Sequence, residues 1–285
     1  MRQNAGRGSL DITWNMPEGE TVTGSTNEVI GISAGKIGWI IINNPARRNA
    51  MSRAMWETLP PLLDTLCALP DTRLIIVTGA GGKAFISGAD ISEFEKQRAS
   101  LEANKAYDEA AGAAFNAIAE CILPTIAMVR GPCIGGGMAT ALSCDMRIAA
   151  ENSIFGIPAA KLGVGYQFDG IQRIVSLIGP ARTKALMYTA EFYKAPRAEA
   201  MGLIDESVAT DELEARIMQI ADMICANAPL SIRAAKLAVD EAVKDPELRN
   251  MGRVQAAIDQ AWSSDDVKEG HRAFLEKRPA QFKGS

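Results

Sequence analysis

Two glycine-rich segments hold the residues best placed to do chemistry. The first is Gly81-Gly82-Lys83-Ala84-Phe85-Ile86-Ser87-Gly88-Ala89-Asp90-Ile91, and the second is Gly131-Pro132-Cys133-Ile134-Gly135-Gly136-Gly137-Met138-Ala139-Thr140. Each follows an apolar run that reads as a strand, and the second passes into a helical pattern, so both present backbone N–H groups at a strand's end. At a helix N-terminus the peptide dipoles also favour negative charge. Two such amides converging on one point would form an oxyanion hole. A phosphate-cradling loop needs Ser or Thr after its Gly-Lys pair, and here Ala84 follows Lys83. The dinucleotide fingerprint fails as well, because Thr140 stands at its third glycine position and no ribose-binding acid follows at the usual distance. Taken singly, either segment also reads as an ordinary surface loop.

Other chemistries are short of material. A single His, His271, near the C-terminus leaves almost nothing for a zinc site or a Ser-His-Asp relay, and no metal is expected. Five cysteines (Cys67, Cys121, Cys133, Cys144, Cys225) make no CxxC pair and sit among apolar neighbours, so reduced, buried thiols are expected. A net charge of -4 offers no attraction for nucleic acid or an anionic membrane. Residues 1–28 lack an apolar signal region and no run of 18 apolar residues occurs; a cytoplasmic protein with a loosely docked N-terminal arm is expected.

These segments must be held by a core, and at 285 residues with 47% hydrophobic side chains the chain is large enough to build one. Ile37–Ile42, Leu74–Thr78, Thr125–Val129 and Met146–Ala150 read as buried strands, with helices over Arg53–Leu69 and Leu101–Cys121 between them. Such alternation predicts an α/β layer architecture, because parallel neighbours need a covering crossover helix. Beyond Gly170 helices are expected at Ile171–Leu177, Ala181–Tyr188, Arg197–Met201, Asp211–Asn227, Ser231–Val243, Leu248–Trp262 and Val267–Lys277, with Pro229 and Pro246 as helix starters and Asn227 as a stop. The expected organisation is an arm (1–28), an α/β core (29–220) and a helical tail (221–285) too thin for a core of its own. Ile217, Ile220, Ile224, Leu237, Val239, Val243, Val254, Ile258 and Trp262 exceed what such an appendage can leave exposed.

From Val29 to Lys283 the chain resembles the crotonase (enoyl-CoA hydratase/isomerase) superfamily. The resemblance is carried in order by Asn44-Pro45-Ala46-Arg47-Arg48-Asn49-Ala50-Met51, both glycine segments, Cys144-Asp145, Phe155-Gly156-Ile157-Pro158, Leu162-Gly163, Gln172-Arg173, Ala200-Met201-Gly202-Leu203-Ile204 and Phe274-Leu275-Glu276-Lys277-Arg278. It implies a spiral of ββα repeats followed by a helical region that builds a homotrimer, or a hexamer as a dimer of trimers. It also implies that the Ala89 and Gly136 amides hold the oxygen of an acyl-CoA thioester. Coenzyme A enters as part of the substrate, and no other cofactor is implied. The backbone from Phe85 through Ser87, Gly88 and Ala89 would bind adenine, Arg47 and Arg48 would lie near the phosphates, and Phe274 and Lys277 would reach a neighbouring subunit's nucleotide. Ala50, Asp90, Ile91, Ile134, Gly135, Ala139, Pro158, Ala159, Leu162 and Tyr166 complete the implied lining.

One departure matters for the chemistry. The two positions where family hydratases carry Glu are Ala139 and Ala159, and the position of an isomerase or dehalogenase Asp is Gln167. Paired carboxylates contribute about 10² to 10⁴ in rate for each well-placed proton transfer, so efficient hydration is not expected. Asp169, Tyr166 and Thr140 are the candidate replacements, with Asp169 alternatively the cap of a helix starting at Gly170. Asp145 is expected as a buried structural acceptor, and Glu93, Glu95 and Glu191 as surface charges. Three functions stay open: an acyl-CoA enzyme with a displaced acid or base, a non-catalytic acyl-CoA-binding protein and, against the broken fingerprints, a nicotinamide or nucleotide enzyme.

Overall fold

A computed structural model of the chain describes residues 15–90 and 101–285. Ten strands run β1 (Glu20–Thr21), β2 (Val29–Ala34), β3 (Ile37–Ile42), β4 (Leu74–Gly79), β5 (Thr125–Val129), β6 (Pro132–Ile134), β7 (Met146–Ala150), β8 (Ile154–Gly156), β9 (Tyr193–Lys194) and β10 (Glu206–Val208). Among the described residues the α-helices are α1 (Arg53–Cys67), α2 (Leu101–Ala119), α3 (Gly136–Ser143), α4 (Ala159–Leu162), α5 (Phe168–Thr189), α6 (Ala195–Met201), α7 (Leu213–Ala226), α8 (Pro229–Ala242), α9 (Met251–Ser263) and α10 (Asp265–Glu276).

The large sheet has the order β1-β2-β3-β4-β5-β7-β10, antiparallel as far as β3 and parallel from there on. Its central strands β3, β4 and β5 are buried along their whole length and almost wholly apolar because both faces are covered. Alternate residues serve each face: Ile40, Ile42, Ile75, Val77, Ala127 and Val129 pack with Trp56, Leu59, Leu62, Leu63 and Leu66 of α1. Ile37, Trp39, Ile41, Leu74, Ile76, Ile126 and Met128 pack with Leu213, Ile217, Ile220 and Ala221 of α7.

A second sheet, β6-β8-β9, stands beside the first. In β5-β6-α3 and again in β7-β8-α4 the first strand joins the large sheet, the second joins the small one, and a helix follows. This is the expected α/β spiral of strand-strand-helix units.

The two helices read at Ile171–Leu177 and Ala181–Tyr188 are both present within α5, separated by non-helical backbone at Gly179 (φ 73, ψ 168) ahead of Pro180. Other local expectations need correction. Pro246 opens a short 3-10 turn, Pro246–Leu248, rather than an α-helix, whereas Pro229 does start α8 and Asn227 does end α7. Part of the arm is docked, since Glu20 and Thr21 pair with Ser33 and Ile32. The boundary at residue 220 falls inside α7. Of the apolar tail residues, Ile217, Ile220 and Val254 are buried within the subunit, while Val239, Val243 and Trp262 remain 63%, 74% and 70% exposed.

Candidate active site

The two glycine segments lie side by side. Ile86 and Cys133 form a parallel bridge, with Ile134 N donating to Ile86 O at 3.0 Å and Ile86 N to Pro132 O at 3.2 Å. Three residues further along each segment stand Ala89 and Gly136. Close approach is enforced by missing side chains: a Cβ on Gly137 would lie 2.2 Å from Ile86 O, and one on Gly135 would lie 3.9 Å from Gly88 Cα. Gly135 adopts φ 57 and donates to Gly156 O at 2.9 Å, which turns the chain so that Gly136 opens α3.

The orientation of the Ala89 amide follows from Gly88. Ser87 N bonds to Arg48 O, and regular strand alternation would send the Ala89 N–H toward that same side. Gly88, at φ 118, reverses the alternation. Gly88 O instead accepts from Met51 N and Asp90 N donates to Met51 O, both at 2.9 Å. Ala89, bridged to Met51 between these two bonds, therefore turns its own N–H away from Met51, toward the side of Gly136. Neither the Ala89 nor the Gly136 amide donates a hydrogen bond among the described residues. Gly136 is in the first turn of α3, where a backbone N–H has no intrahelical acceptor.

Supporting residues escaped the sequence reading. Asn49, fully buried, donates through Nδ2 to Ala80 O (3.0 Å) and Ala84 O (2.8 Å) and accepts from Asn44 N, stitching the Asn44–Met51 loop to the first glycine segment. Its left-handed φ of 57 is a conformation Asn tolerates, the one local signal it carried. Trp56 underlies Gly136 and donates Nε1–H to Tyr107 Oη at 2.8 Å, while Tyr107 donates to Met51 O. In the sequence Trp56 is just one more apolar position on α1.

Ala139 and Ala159 are both buried, the first on α3 and the second opening α4. Each presents only a methyl group. Thr140 is committed to its own helix, its Oγ1 donating to Gly136 O at 2.9 Å. Asp169 is exposed in the first turn of α5 and does not cap it; the helix starts at Phe168, two residues earlier than the sequence suggested, with Gln167 at the N-cap. Gln167 Nε2 instead lies 3.4 Å from Asp108 Oδ2. Tyr166 differs from these. Its hydroxyl oxygen is shut off from solvent and has no hydrogen-bond partner among the described residues. Burial, helped by the nearby Cys133 thiol and opposed by Arg173, pushes its pKa up to about 12. It is a neutral O–H donor at physiological pH. Arg173 fixes the surroundings, bonding Ser143 Oγ on α3 and Asn116 Oδ1 (3.0 Å) on α2, and Ser143 Oγ in turn donates to Ala139 O.

The remaining site residues divide between core and surface. Phe85 is completely buried, so only its backbone could meet a nucleotide, and Ala50 and Ile134 are buried too. Ser87, Gly135 and Pro158 are partly exposed, and Leu162 is mostly exposed. Ile91, like Glu93 and Glu95, lies outside the described residues. Arg47 holds Asp90 at 2.6 and 2.8 Å, so a phosphate at Arg47 would compete with that carboxylate. Arg48 is exposed beside it, and Phe274 and Lys277 project from the end of α10. Asp145 is structural, as expected, yet it lies at the surface rather than buried: Oδ2 accepts from Thr125 N and Lys236 Nζ, both at 2.7 Å.

Comparison with known proteins gives a consistent picture. The family model described as Enoyl-CoA hydratase/isomerase matches residues 33–285. A crotonyl-CoA hydratase of Syntrophomonas wolfei is 36% identical over 250 residues, spanning 87% of this chain and 94% of that one. A short-chain-enoyl-CoA hydratase of Clostridium acetobutylicum is 33% identical over 252 residues, spanning 88% and 96%. Among solved structures, an enoyl-CoA hydratase/carnithine racemase from Magnetospirillum magneticum superposes with a TM-score of 0.85 at 31% identity, covering 92% of this chain and 97% of that one.

Proposed function

The chain belongs to the enoyl-CoA hydratase/isomerase family, and from that premise we propose that it holds the carbonyl oxygen of an acyl-CoA thioester between the Ala89 and Gly136 amides. The family makes it an acyl-CoA-processing enzyme of crotonase type. The observation that carries the oxyanion-hole reading is the paired register of the two glycine segments, which leaves both amides without an acceptor among the described residues, one at a strand bridge and one opening α3. Charge on the thioester oxygen grows as an enolate forms, and fixed neutral donors bind that charge better than they bind the ground-state carbonyl.

The proton chemistry is not that of a carboxylate pair. With methyl groups at 139 and 159, water has neither a base to activate it nor an acid to protonate Cα from those positions. The reading supported best is enolate chemistry in which Tyr166 supplies a neutral hydrogen-bond or proton donor, rather than rapid water addition. Asp169, exposed and facing Arg173, is the weaker candidate. Arg48, and Arg47 after release of Asp90, would meet the phosphates of coenzyme A. Phe274 and Lys277 would act on a ligand held by another subunit of a homotrimer, with Val239, Val243 and Trp262 covered in that assembly.

Incubating the protein with a panel of acyl-CoA thioesters and following mass changes tests the reading. Conversion of at least one thioester by the wild type, lost in Gly136→Pro, supports it. Tight thioester binding with no conversion of any would favour a binding protein instead.

A further inference from the structure

Cys67, the last residue of α1, and Cys121, just beyond α2, bring their Sγ atoms to 3.4 Å across a groove of about 590 Å³ that Asp64, Asn116 and Glu120 also line. The groove lies between the far ends of two helices whose near ends are joined by the Trp56–Tyr107 hydrogen bond. It is separate from both glycine segments.

We propose that Cys67 and Cys121 form a dithiol modification site that a small peroxide oxidises to an intramolecular disulfide. An S–S bond of about 2.05 Å requires the sulfurs to close by about 1.4 Å, a side-chain movement that breaks no strand or helix. The electron balance is complete with one peroxide. The Cys121 thiolate attacks one peroxide oxygen, the O–O bond breaks and hydroxide leaves, giving a sulfenic acid. Cys67, losing its proton, attacks that sulfur and expels the second oxygen as water. Two thiols are oxidised by two electrons and the peroxide is reduced to two waters.

The surroundings select this pair. The Cys67 and Cys121 sulfurs share one hydrogen bond, which lowers the Cys121 thiol from its ordinary value and, together with burial, raises that of Cys67, so Cys121 is the better nucleophile of the two. Cys133 and Cys144 are buried, and desolvation pushes their thiols up, Cys144 to about 12. Cys225 is pushed up by burial as well. The proposal does not depend on the acyl-CoA reading.

The test treats the full-length protein with hydrogen peroxide, alkylates the unfolded product and measures its mass and peptides. The expected result is a fall in alkylatable thiols from five to three, a loss of two hydrogens, and one cross-linked peptide joining Cys67 to Cys121 that dithiothreitol releases. In Cys67→Ser no cross-link forms and the added oxygen stays on Cys121. Five thiols still alkylatable after treatment, loss confined to other cysteines, or oxidised Cys121 that never links to Cys67 in the wild type would each overturn the proposal.

Discussion

Trp56 lies directly beneath Gly136: a Cβ built on the glycine would sit 3.0 Å from the indole Cζ2. The indole is itself held by Tyr107, so this side of Gly136 is a packed wall. Contact and donor can be separated by mutation. Gly136→Pro removes the N–H at the first helical position, where proline is tolerated, whereas Gly136→Ala keeps the N–H and only presses on Trp56. Bound acetoacetyl-CoA should show its enolate absorption band with wild type and Gly136→Ala, and lose it with Gly136→Pro. Loss of one such donor costs about 10² to 10³ in rate. Equal behaviour of the two variants would assign Gly136 a packing role only.

Tyr166→Phe keeps the ring and removes an unpartnered buried hydroxyl. Stability at pH 7 should be unchanged or slightly raised, because an unsatisfied buried donor costs about 1–3 kcal/mol, while turnover of any converted thioester should fall at least about tenfold. The pH dependence has a definite sign. The folded-state pKa is raised to about 12, so the unfolded chain loses this proton first and the contribution of Tyr166 to stability is lost as pH climbs from about 10 toward 12. Urea unfolding at pH 9 and pH 11 should therefore show a smaller loss in Tyr166→Phe than in wild type. An identical loss in both would mean that the hydroxyl is solvated.

Crotonyl-CoA hydration by the wild type should run about 10³-fold or more below that of a relative carrying both carboxylates, the low end of what two missing proton-transfer groups cost. Ala139→Glu with Ala159→Glu should raise it, provided the buried sites accept the larger side chains. The loss of conjugated-thioester absorbance follows both proteins. Fast hydration by the wild type would show that another group activates water, and its loss in Asp169→Asn would identify that group.

Light scattering should return a particle of about three or six times the 30.4 kDa chain. Trp262→Glu combined with Val243→Asp, at positions mostly exposed on the subunit, should shift it toward the monomer. A wild-type particle of one chain mass would remove the basis for Phe274 and Lys277 acting on a neighbour's ligand.

The layer architecture was legible because continuous apolar runs such as Ile37–Ile42 and Leu74–Gly79 leave little choice once both faces are buried. The glycine segments were legible as candidate amide donors, but the reversal at Gly88 that aims Ala89 is a backbone angle with no signature beyond the glycine itself. Trp56 and Asn49 were missed because their partners, Tyr107, Ala80 and Ala84, are distant in sequence. Asp169 was overrated on charge alone, and its exposure is set by where α5 begins, two residues earlier than the sequence suggested. The tail was read as one apolar face, although α7 spends Ile217 and Ile220 on the sheet.

A crystal structure of the protein with butyryl-CoA tests the central claim most directly. The thioester oxygen should lie within about 3.2 Å of both the Ala89 and the Gly136 nitrogens. A bound thioester whose oxygen points away from either amide would contradict the account.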